Sequence, residues 1–542
     1  MSRRSILSAK LLLNSAIAAF VIVFGLLVYK PPTTGQVNPK VATKKQERPS
    51  QPDVSSKNSN KEDSPGSLAQ LIDRAIDEGD AAKARWGISV ISMSDGRQLY
   101  SRNADRLFTP ASNMKVYTTA AALDLLGADY QWRTSVYAGA EPDGAGTITG
   151  DLVLYGRGAP DLISQTRKNN DNSLARLAED LYNRGVRRIK GNIIGDESYF
   201  RGEPLGDGWQ WNDMQWYFGA EASALSINGN EVGVNVMPPD KTGAPPLVKV
   251  SSPDGYVTVE NNMVSVNRGE RLTVGVNREL STNNVRVWGD FPLGSKGFGA
   301  RLSVHNPALW AARTFLSSLT ARGISVEGQP LQRDSRFSVS QRFDPAQAKE
   351  LVFVLSRPLR EIAKDTNKES INLNAELILR TVGRERGAMV TASEPPGRER
   401  GDDEAGLNVI RLWLSRAGIP SEGLALHDGS GLSRLNLVTP ESMSRLLIAI
   451  SKMAVGSAFR ESLPISGRDG TLGGRLIPFK DRVAAKTGSL TYTNSLSGYL
   501  TTKTGDVLAF SVFCNDQTMR HSGTQQIDRI ISILADFPPN TP

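Results

Sequence analysis

The chain has 542 residues, 39% of them hydrophobic and 22% charged, which is enough for roughly three to four domains with buried cores. Its formal net charge is +8, but residues 1–66 hold 10 Lys or Arg against 4 Asp or Glu and so contribute +6 of it. The rest is close to neutral, which argues against a nucleic-acid partner. The three histidines are scattered along the sequence, so no metal site is predicted, and no other cofactor is expected. With one cysteine, Cys514, no intramolecular disulfide can form.

The N-terminus predicts a membrane anchor followed by a tether. Three basic residues among the first ten precede residues 11–29, which are almost entirely apolar and about long enough to cross a bilayer as a helix. Because no small-residue cleavage site follows, residues 1–30 are interpreted as an uncleaved anchor, with a cleaved signal peptide as the alternative. The charge bias predicts that the body of the protein lies outside the cytoplasm, on the periplasmic side. Residues 31–66, rich in Pro, Lys, Ser and Gln, are predicted to form a disordered tether.

The next elements predict an α+β core. A helical pattern from Ser67 leads into a hairpin of strands over 86–93 and 97–101, and the chain closes with a second hairpin (496–502 and 507–514) and a helix over 525–536. This order predicts an antiparallel sheet flanked by helices, divided between residues 67–135 and 340–542. Residues 136–339 are richer in Gly and short alternating strands, such as 151–154 and 272–276, and are expected to form β-rich inserted domains, two in number.

A Ser-x-x-Lys motif lies at the start of an apolar helical run. Pro110 precedes the run and Gly127 ends it, so Ser112 is predicted in the first turn and Lys115 one turn away, on the same face of the helix. A serine hydroxyl becomes a useful nucleophile when a neighbour takes its proton, and a lysine can do so when burial or a second positive charge lowers its pKa. The first-turn N–H groups would point at the same spot.

Serine acyl-transferases with this motif also need a Lys-Thr-Gly on a strand, and this chain contains three copies. The copy at 241–243 lies in a Pro-rich loop, and the copy at 503–505 separates two alternating runs and is predicted to be a hairpin turn. Only 486–488 has strand residues on both sides. Lys486 is therefore the candidate lysine, with Thr487 and Gly488 beside it.

The third motif, Ser-x-Asn, occurs twice. The copy at 226–228 runs into an alternating, Gly-containing segment that predicts turn and strand. The copy at 370–372 opens a segment with helical period, which can present Ser370 and Asn372 into a cleft from the side opposite Lys486. The second copy is therefore preferred.

Ser112-x-x-Lys115, Ser370-x-Asn372 and Lys486-Thr487-Gly488, in this order, resemble the motifs of the low-molecular-mass penicillin-binding D-alanyl-D-alanine carboxypeptidases and endopeptidases. The long gap between the first two motifs is similar to that of the class C branch, peptidase family S13, which carries extra domains there. Segments 211–213, 223–226, 428–433 and 466–472 agree with the same family.

The resemblance implies a transpeptidase-like core and an acyl-enzyme on Ser112. It implies that peptidoglycan stem peptides are substrates and β-lactam antibiotics covalent inhibitors. By the same resemblance Lys115 takes the serine proton, and Ser370 passes a proton to the leaving amine. The family pattern implies that Asn372 binds both Lys115 and a substrate amide. It implies that Lys486, Thr487 and Ser489 bind the terminal carboxylate of the substrate. It also implies that Asp213 contacts the side chain of the stem peptide.

Several alternatives stay open at this point. A β-lactamase shares fold and motifs, and a non-enzymatic penicillin-sensing or wall-binding membrane protein would keep the fold without hydrolysis. A Ser-His-Asp triad through His427 is possible on composition, although the Ser112 and Lys115 pair explains the site without it. The sequence leaves open which lysine is the base and whether the enzyme also cuts cross-links.

Overall fold

The computed structural model describes residues 67–163, 172–237, 241–252, 255–336, 343–389, 401–518 and 523–537. The predicted anchor (1–30) and the predicted tether (31–66) lie outside these ranges. Within them, no helix is both long enough and apolar enough to span a membrane.

The described ranges form a mixed α and β structure whose elements are numbered here in chain order. The strands are β1 (Arg85–Ser92), β2 (Gln98–Arg102), β3 (Arg133–Ala138), β4 (Thr147–Ile148), β5 (Leu152–Tyr155), β6 (Arg188–Ile189), β7 (Ile193–Asp196), β8 (Glu231–Val236), β9 (Val248–Val250), β10 (Thr258–Val266), β11 (Gly275–Arg278), β12 (Asn284–Pro292), β13 (Phe298–Ser303), β14 (Ser325–Val326), β15 (Pro330–Arg333), β16 (Lys349–Leu355), β17 (Val483–Leu490), β18 (Thr493–Thr501) and β19 (Val507–Asn515). The helices are α1 (Leu68–Asp77), α2 (Met114–Leu126), α3 (Ser173–Asn183), α4 (Pro307–Arg322), α5 (Leu359–Lys368), α6 (Asn372–Arg386), α7 (Asp402–Arg416), α8 (Pro440–Ser451), α9 (Gly456–Ser462) and α10 (Gly523–Asp536).

A five-stranded antiparallel sheet in the order β17-β18-β19-β1-β2 forms the centre of the core. Side chains of a strand alternate between its two faces, and β19 shows this directly. Phe510 and Val512 pack in the cluster that contains α1 and α10, whereas Ala509 and Phe513 pack in the cluster that contains α2, α6, α7 and α8. The predicted α+β core, an antiparallel sheet flanked by helices, is confirmed.

The predicted terminal hairpin is also present. Strands β18 and β19 pair along their length, and Lys503, Thr504 and Gly505 form the turn between them, as predicted. Cys514 is a free, buried cysteine in the core, again as predicted. Helix α1 begins where the sequence places it because Ser67 and Gln70 form a reciprocal capping box.

The insert contains a second five-stranded sheet, in the order β15-β7-β5-β3-β16, and three smaller sheets. Strands β5, β7 and β15 are parallel, and parallel neighbours need a crossover connection. Helices α3 and α4 lie in these connections and pack against each other. The insert is thus β-rich with two helices, which the sequence analysis had not placed. The strand expected over 272–276 lies instead at β11.

The chain enters and leaves the insert through one antiparallel pair of strands. Strand β3 leaves the core and β16 returns to it, and the two pair from Lys349 with Ala138 to Leu355 with Arg133. The boundary expected at residue 136 therefore falls inside β3, and β16 lies beyond the boundary expected at 339. The division of the insert into two domains stays a prediction.

Candidate active site

Ser112 lies in a 3-10 turn, Ala111–Asn113, that leads directly into α2. The sequence predicted the first α-helical turn, but the α-helix begins only at Met114. The turn starts with Ala111 at φ +48°, a left-handed conformation that non-glycine residues rarely adopt. Lys115 follows in the first turn of α2, with its Nζ 3.1 Å from Ser112 Oγ. The predicted pairing of the two side chains is therefore present in the geometry.

Lys115 is completely buried, and its Nζ has two further partners. It donates to Asn372 Oδ1 at 2.6 Å and to the Ser430 carbonyl oxygen at 2.7 Å. A neutral amine has two N–H groups and one lone pair. With both N–H groups taken by Asn372 and Ser430, the lone pair is left for the Ser112 hydroxyl.

Burial also favours the neutral amine. Desolvation lowers the pKa of Lys115 from its ordinary value to about 7, against the opposing charges of Asp428 and Glu376. A free amine can then exist near neutral pH and accept the serine proton.

Lys486 lies in β17 and is also completely buried. Its Nζ donates to Ser370 Oγ at 2.9 Å and to the Thr487 carbonyl oxygen at 2.8 Å. Burial, with the charge of Lys115 adding to it, lowers the pKa of Lys486 well below its ordinary range. Since a positive charge on Lys115 disfavours one on Lys486, the site disfavours two positive charges at once.

Ser370 and Asn372 approach the nucleophile from the side of α6. Ser370 has φ +57° just before the helix, another left-handed non-glycine residue. Asn372 is the first residue of α6, and its Nδ2 donates to the Phe218 carbonyl oxygen of the insert at 2.9 Å. The insert therefore helps to orient the amide that binds Lys115.

The glycine of the strand motif is required by close packing. A Cβ on Gly488 would lie 2.8 Å from the Pro110 carbonyl oxygen and 3.0 Å from the Ser112 nitrogen, distances that real Cβ atoms rarely reach. The absence of a side chain lets β17 lie directly beside the nucleophile. Thr487 shares a hydrogen bond with Thr471 (2.7 Å), and Ser489 is exposed to the cleft.

A cleft of about 1040 Å³ lies over Ser112, with Ser370, Asn372 and Ser489 on its walls. Of the other motif copies, 241–243 and 503–505 lie in turns and do not line the cleft, whereas Asn228 of the 226–228 copy lines it from the insert, just before β8.

Asp213 and Arg434 also line the cleft. Desolvation raises the pKa of Asp213, and the charge of Arg434 opposes this shift.

His427 pairs through Nδ1 with Asp207 at 2.8 Å. In the part of the chain that the structure describes, no group of three or more His, Cys, Asp or Glu side chains is placed to hold a metal ion.

Similarity to known proteins identifies the family of this chain. Residues 68–535 match the model of the D-Ala-D-Ala carboxypeptidase 3 (S13) family. The chain belongs to the S13 family. It is 32% identical to a D-alanyl-D-alanine carboxypeptidase of Actinomadura sp. strain R39, over 87% of this chain and 85% of the relative. It is 30% identical to the D-alanyl-D-alanine carboxypeptidase DacB of Haemophilus influenzae, over 76% of this chain and 81% of the relative.

Solved structures give the same result for the fold of this S13 member. The crystal structure of penicillin-binding protein 4 (dacB) from H. influenzae superimposes with a TM-score of 0.72 at 25% identity, covering 86% of this chain and 99% of that chain. The same H. influenzae protein, complexed with a β-lactam, gives a TM-score of 0.68 at 24% identity over 86% and 99%.

Sequence reasoning missed several groups of this S13 site. The Ser430 carbonyl lies in the segment 428–433, which was recognised as family-like but given no contact to Lys115. Glu376, one helical turn after Asn372, was not singled out. A charged residue in an otherwise apolar stretch of α6 was the available signal. The carbonyl of Phe218 has no signal in the sequence, since any residue supplies the same group.

Proposed function

We propose that this S13 carboxypeptidase forms its acyl-enzyme on Ser112 while it cleaves the bond between the two terminal D-alanines of a peptidoglycan stem peptide. Ser112 Oγ attacks the carbonyl carbon of the penultimate D-alanine, the C–N bond breaks, and the terminal D-alanine leaves as a free amine. Water then hydrolyses the ester and regenerates the serine. A β-lactam acylates the same oxygen through its ring carbonyl.

Lys115 acts as the base for the attack. Its amine is buried, lies 3.1 Å from Ser112 Oγ, and has both N–H groups engaged by Asn372 and Ser430. This arrangement is the observation that carries the proposal, because it gives the lone pair one direction in which to accept a proton.

Ser370 and Lys486 deliver a proton to the leaving amine. Ser370 Oγ accepts from Lys486 Nζ at 2.9 Å, so its own O–H is free to point into the cleft. A proton passed from Ser370 to the departing nitrogen is replaced through Lys486. A buried lysine with a lowered pKa is better suited to relaying a proton than to serving as a fixed positive charge.

Backbone and hydroxyl groups of β17 complete the site. The N–H groups of Ser112 and Ser489 would bind the oxyanion, and one such donor contributes about 3 kcal/mol to the transition state. The hydroxyls of Thr487, Thr471 and Ser489 bind the terminal carboxylate. Gly488 keeps this edge close enough to Ser112 for both tasks.

The far part of the cleft receives the stem-peptide side chain. Asp213 and Arg434 carry opposite charges and both line the cleft. They would complement a side chain that ends in an amine and a carboxylate. Removal of the terminal D-alanine and cutting of cross-links both pass through the same acyl-enzyme.

The cellular setting follows from the N-terminal sequence. Residues 11–29 anchor the protein in the inner membrane, residues 31–66 act as a tether, and the catalytic body lies on the periplasmic side. This position would give the enzyme access to the cell wall.

Release of D-alanine from a synthetic peptide ending in D-Ala-D-Ala tests the proposal. The wild-type chain should release one D-alanine per peptide, and Ser112→Ala should release none above background. Ser94→Ala, an exposed serine in the turn between β1 and β2, is the matched control and should retain full activity. Equal activity of Ser112→Ala and wild type would refute the assignment of the nucleophile.

A further inference from the structure

Glu376 is a buried carboxyl beside the active site to which the mechanism above gives no role. It lies in α6, one turn after Asn372, and is 1% exposed. Its Oε1 accepts hydrogen bonds from two consecutive backbone N–H groups, those of Gly429 at 3.0 Å and Ser430 at 2.8 Å. Its Oε2 is buried and has no hydrogen-bond partner among the described residues.

The same two residues contact α2 with their carbonyl groups. The Ser430 carbonyl oxygen accepts from Lys115 Nζ at 2.7 Å, and the Gly429 carbonyl oxygen accepts from Thr118 Oγ1 at 2.8 Å. The short segment is therefore fixed on two sides, with its N–H groups on Glu376 and its carbonyls on the nucleophile helix.

Asp428 holds the rest of this turn. Its carboxylate accepts from the backbone N–H groups of Gly431 (2.7 Å) and Ser433 (2.7 Å), and from the side chains of Asn436 (2.7 Å) and Trp209 (2.9 Å). Asp428 therefore holds the N–H of Gly431, which shares a peptide unit with the Ser430 carbonyl, and Glu376 holds the N–H groups of Gly429 and Ser430 just before it.

We propose that Glu376 is a positioning residue for acyl transfer, which holds the Gly429 and Ser430 N–H groups so that the Ser430 carbonyl orients the amine of Lys115. The inference rests on the proposed role of Lys115 as the base. Without this carbonyl the amine can rotate, and its lone pair is no longer confined to the direction of Ser112 Oγ.

The charges around Glu376 favour a role as acceptor rather than as anion. Burial, with the charge of Asp428 adding to it, raises its pKa to about 8; Asp403 of α7 acts in the same direction, and Arg380 of α6 opposes it. The acid form is then populated near neutral pH, and its carbonyl oxygen still accepts both N–H bonds. Protonation of Glu376 also removes a negative charge that raises the pKa of Lys115.

Substitutions that keep or remove the acceptor test this inference. Glu376→Gln keeps a carbonyl oxygen at the same position, and Glu376→Leu removes it. Glu376→Asp shortens the side chain by one methylene and so moves the acceptor oxygen away from the two N–H groups. This variant replaces Glu376→Leu as the test if the leucine variant fails to fold. Glu197→Gln is the matched control, because Glu197 is another desolvated carboxyl with a pKa raised to about 7, and its electrostatic neighbours are residues of the insert.

The measurement is the second-order rate constant for acylation of the full chain by a fluorescent penicillin between pH 5 and 9, together with the thermal unfolding midpoint. Glu376→Gln and Glu197→Gln should stay within about threefold of wild type. Glu376→Leu should fall about 100-fold, as expected for a base displaced by about 1 Å, and Glu376→Asp about tenfold. The acidic limb of the Glu376→Leu profile should move to lower pH, because the Ser430 carbonyl no longer stabilises the ammonium.

Two results would overturn the inference. One is a Glu376→Leu or Glu376→Asp variant that acylates at the wild-type rate with an unchanged pH profile. The other is a loss in Glu376→Gln as large as in Glu376→Leu, which would mean that charge, not the acceptor, matters. If wild type itself took no label on Ser112, the proposed function would fail, and this outcome is distinct from both.

Discussion

Acylation of Ser112 should follow the titration of Lys115. Because burial lowers the pKa of this lysine to about 7, half of the amine is free at that pH. The free fraction falls to roughly 9% at pH 6 and roughly 1% at pH 5, and it is nearly complete above pH 8. The sign follows from the chemistry, since the amine must be unprotonated to take the serine proton. The acylation rate constant should therefore drop about fivefold from pH 7 to 6 and about tenfold from pH 6 to 5.

The assay is stopped-flow acylation by a fluorescent penicillin from pH 5 to 8.5 at constant ionic strength, with circular dichroism at each pH to show that the protein remains folded. Lys115→Arg serves as the comparison, because a guanidinium stays protonated and cannot accept the proton. Its rate constant should be lower by about 10²–10⁴, the usual contribution of a general base, and should not rise with pH. A wild-type rate that is flat from pH 5 to 8, or a limb near pH 10, would refute the role of Lys115.

Three further predictions test other parts of the site and chain. Gly488→Ala should slow acylation about 100-fold, because the added Cβ pushes β17 away from Ser112. The control variant Gly139→Ala has no atom within 4 Å of the new Cβ and should acylate at the wild-type rate. Equal rates for the two variants would contradict the packing argument. Asp213→Asn should raise the KM for stem peptides about tenfold while leaving penicillin acylation unchanged, and an unchanged KM would remove Asp213 from the substrate site. Protein extracted from cell membranes should retain residues 1–29 by N-terminal peptide mapping, and a start within 31–66 would show cleavage.

The choice among identical motif copies could be made from the sequence because their positions in the local pattern differ. Lys503 follows one alternating run and precedes another, and it lies in the turn between β18 and β19. Lys486 has the strand-like residues 483–485 before it and 489–490 after it, with no turn residues between, and lies in β17. Local patterns of this kind depend only on neighbours in the chain, which is why they could be predicted.

The interactions that orient Lys115 could not be predicted in the same way. Glu376 contacts a backbone segment 53 residues further along the chain, and the acceptor that Lys115 uses is a carbonyl group that every residue carries. The left-handed backbone of Ser370 depends on the packing around it and not on its own preference. The helices of the insert were missed because the Gly-rich strands dominated the pattern.

The most direct test of the account is intact-mass spectrometry of the full chain after exposure to penicillin, comparing wild type with Ser112→Ala. The account predicts a single stable adduct, mapped by peptide digestion to Ser112 and absent from the variant. An adduct on another residue, or a wild-type protein that neither binds nor consumes the drug, would contradict it.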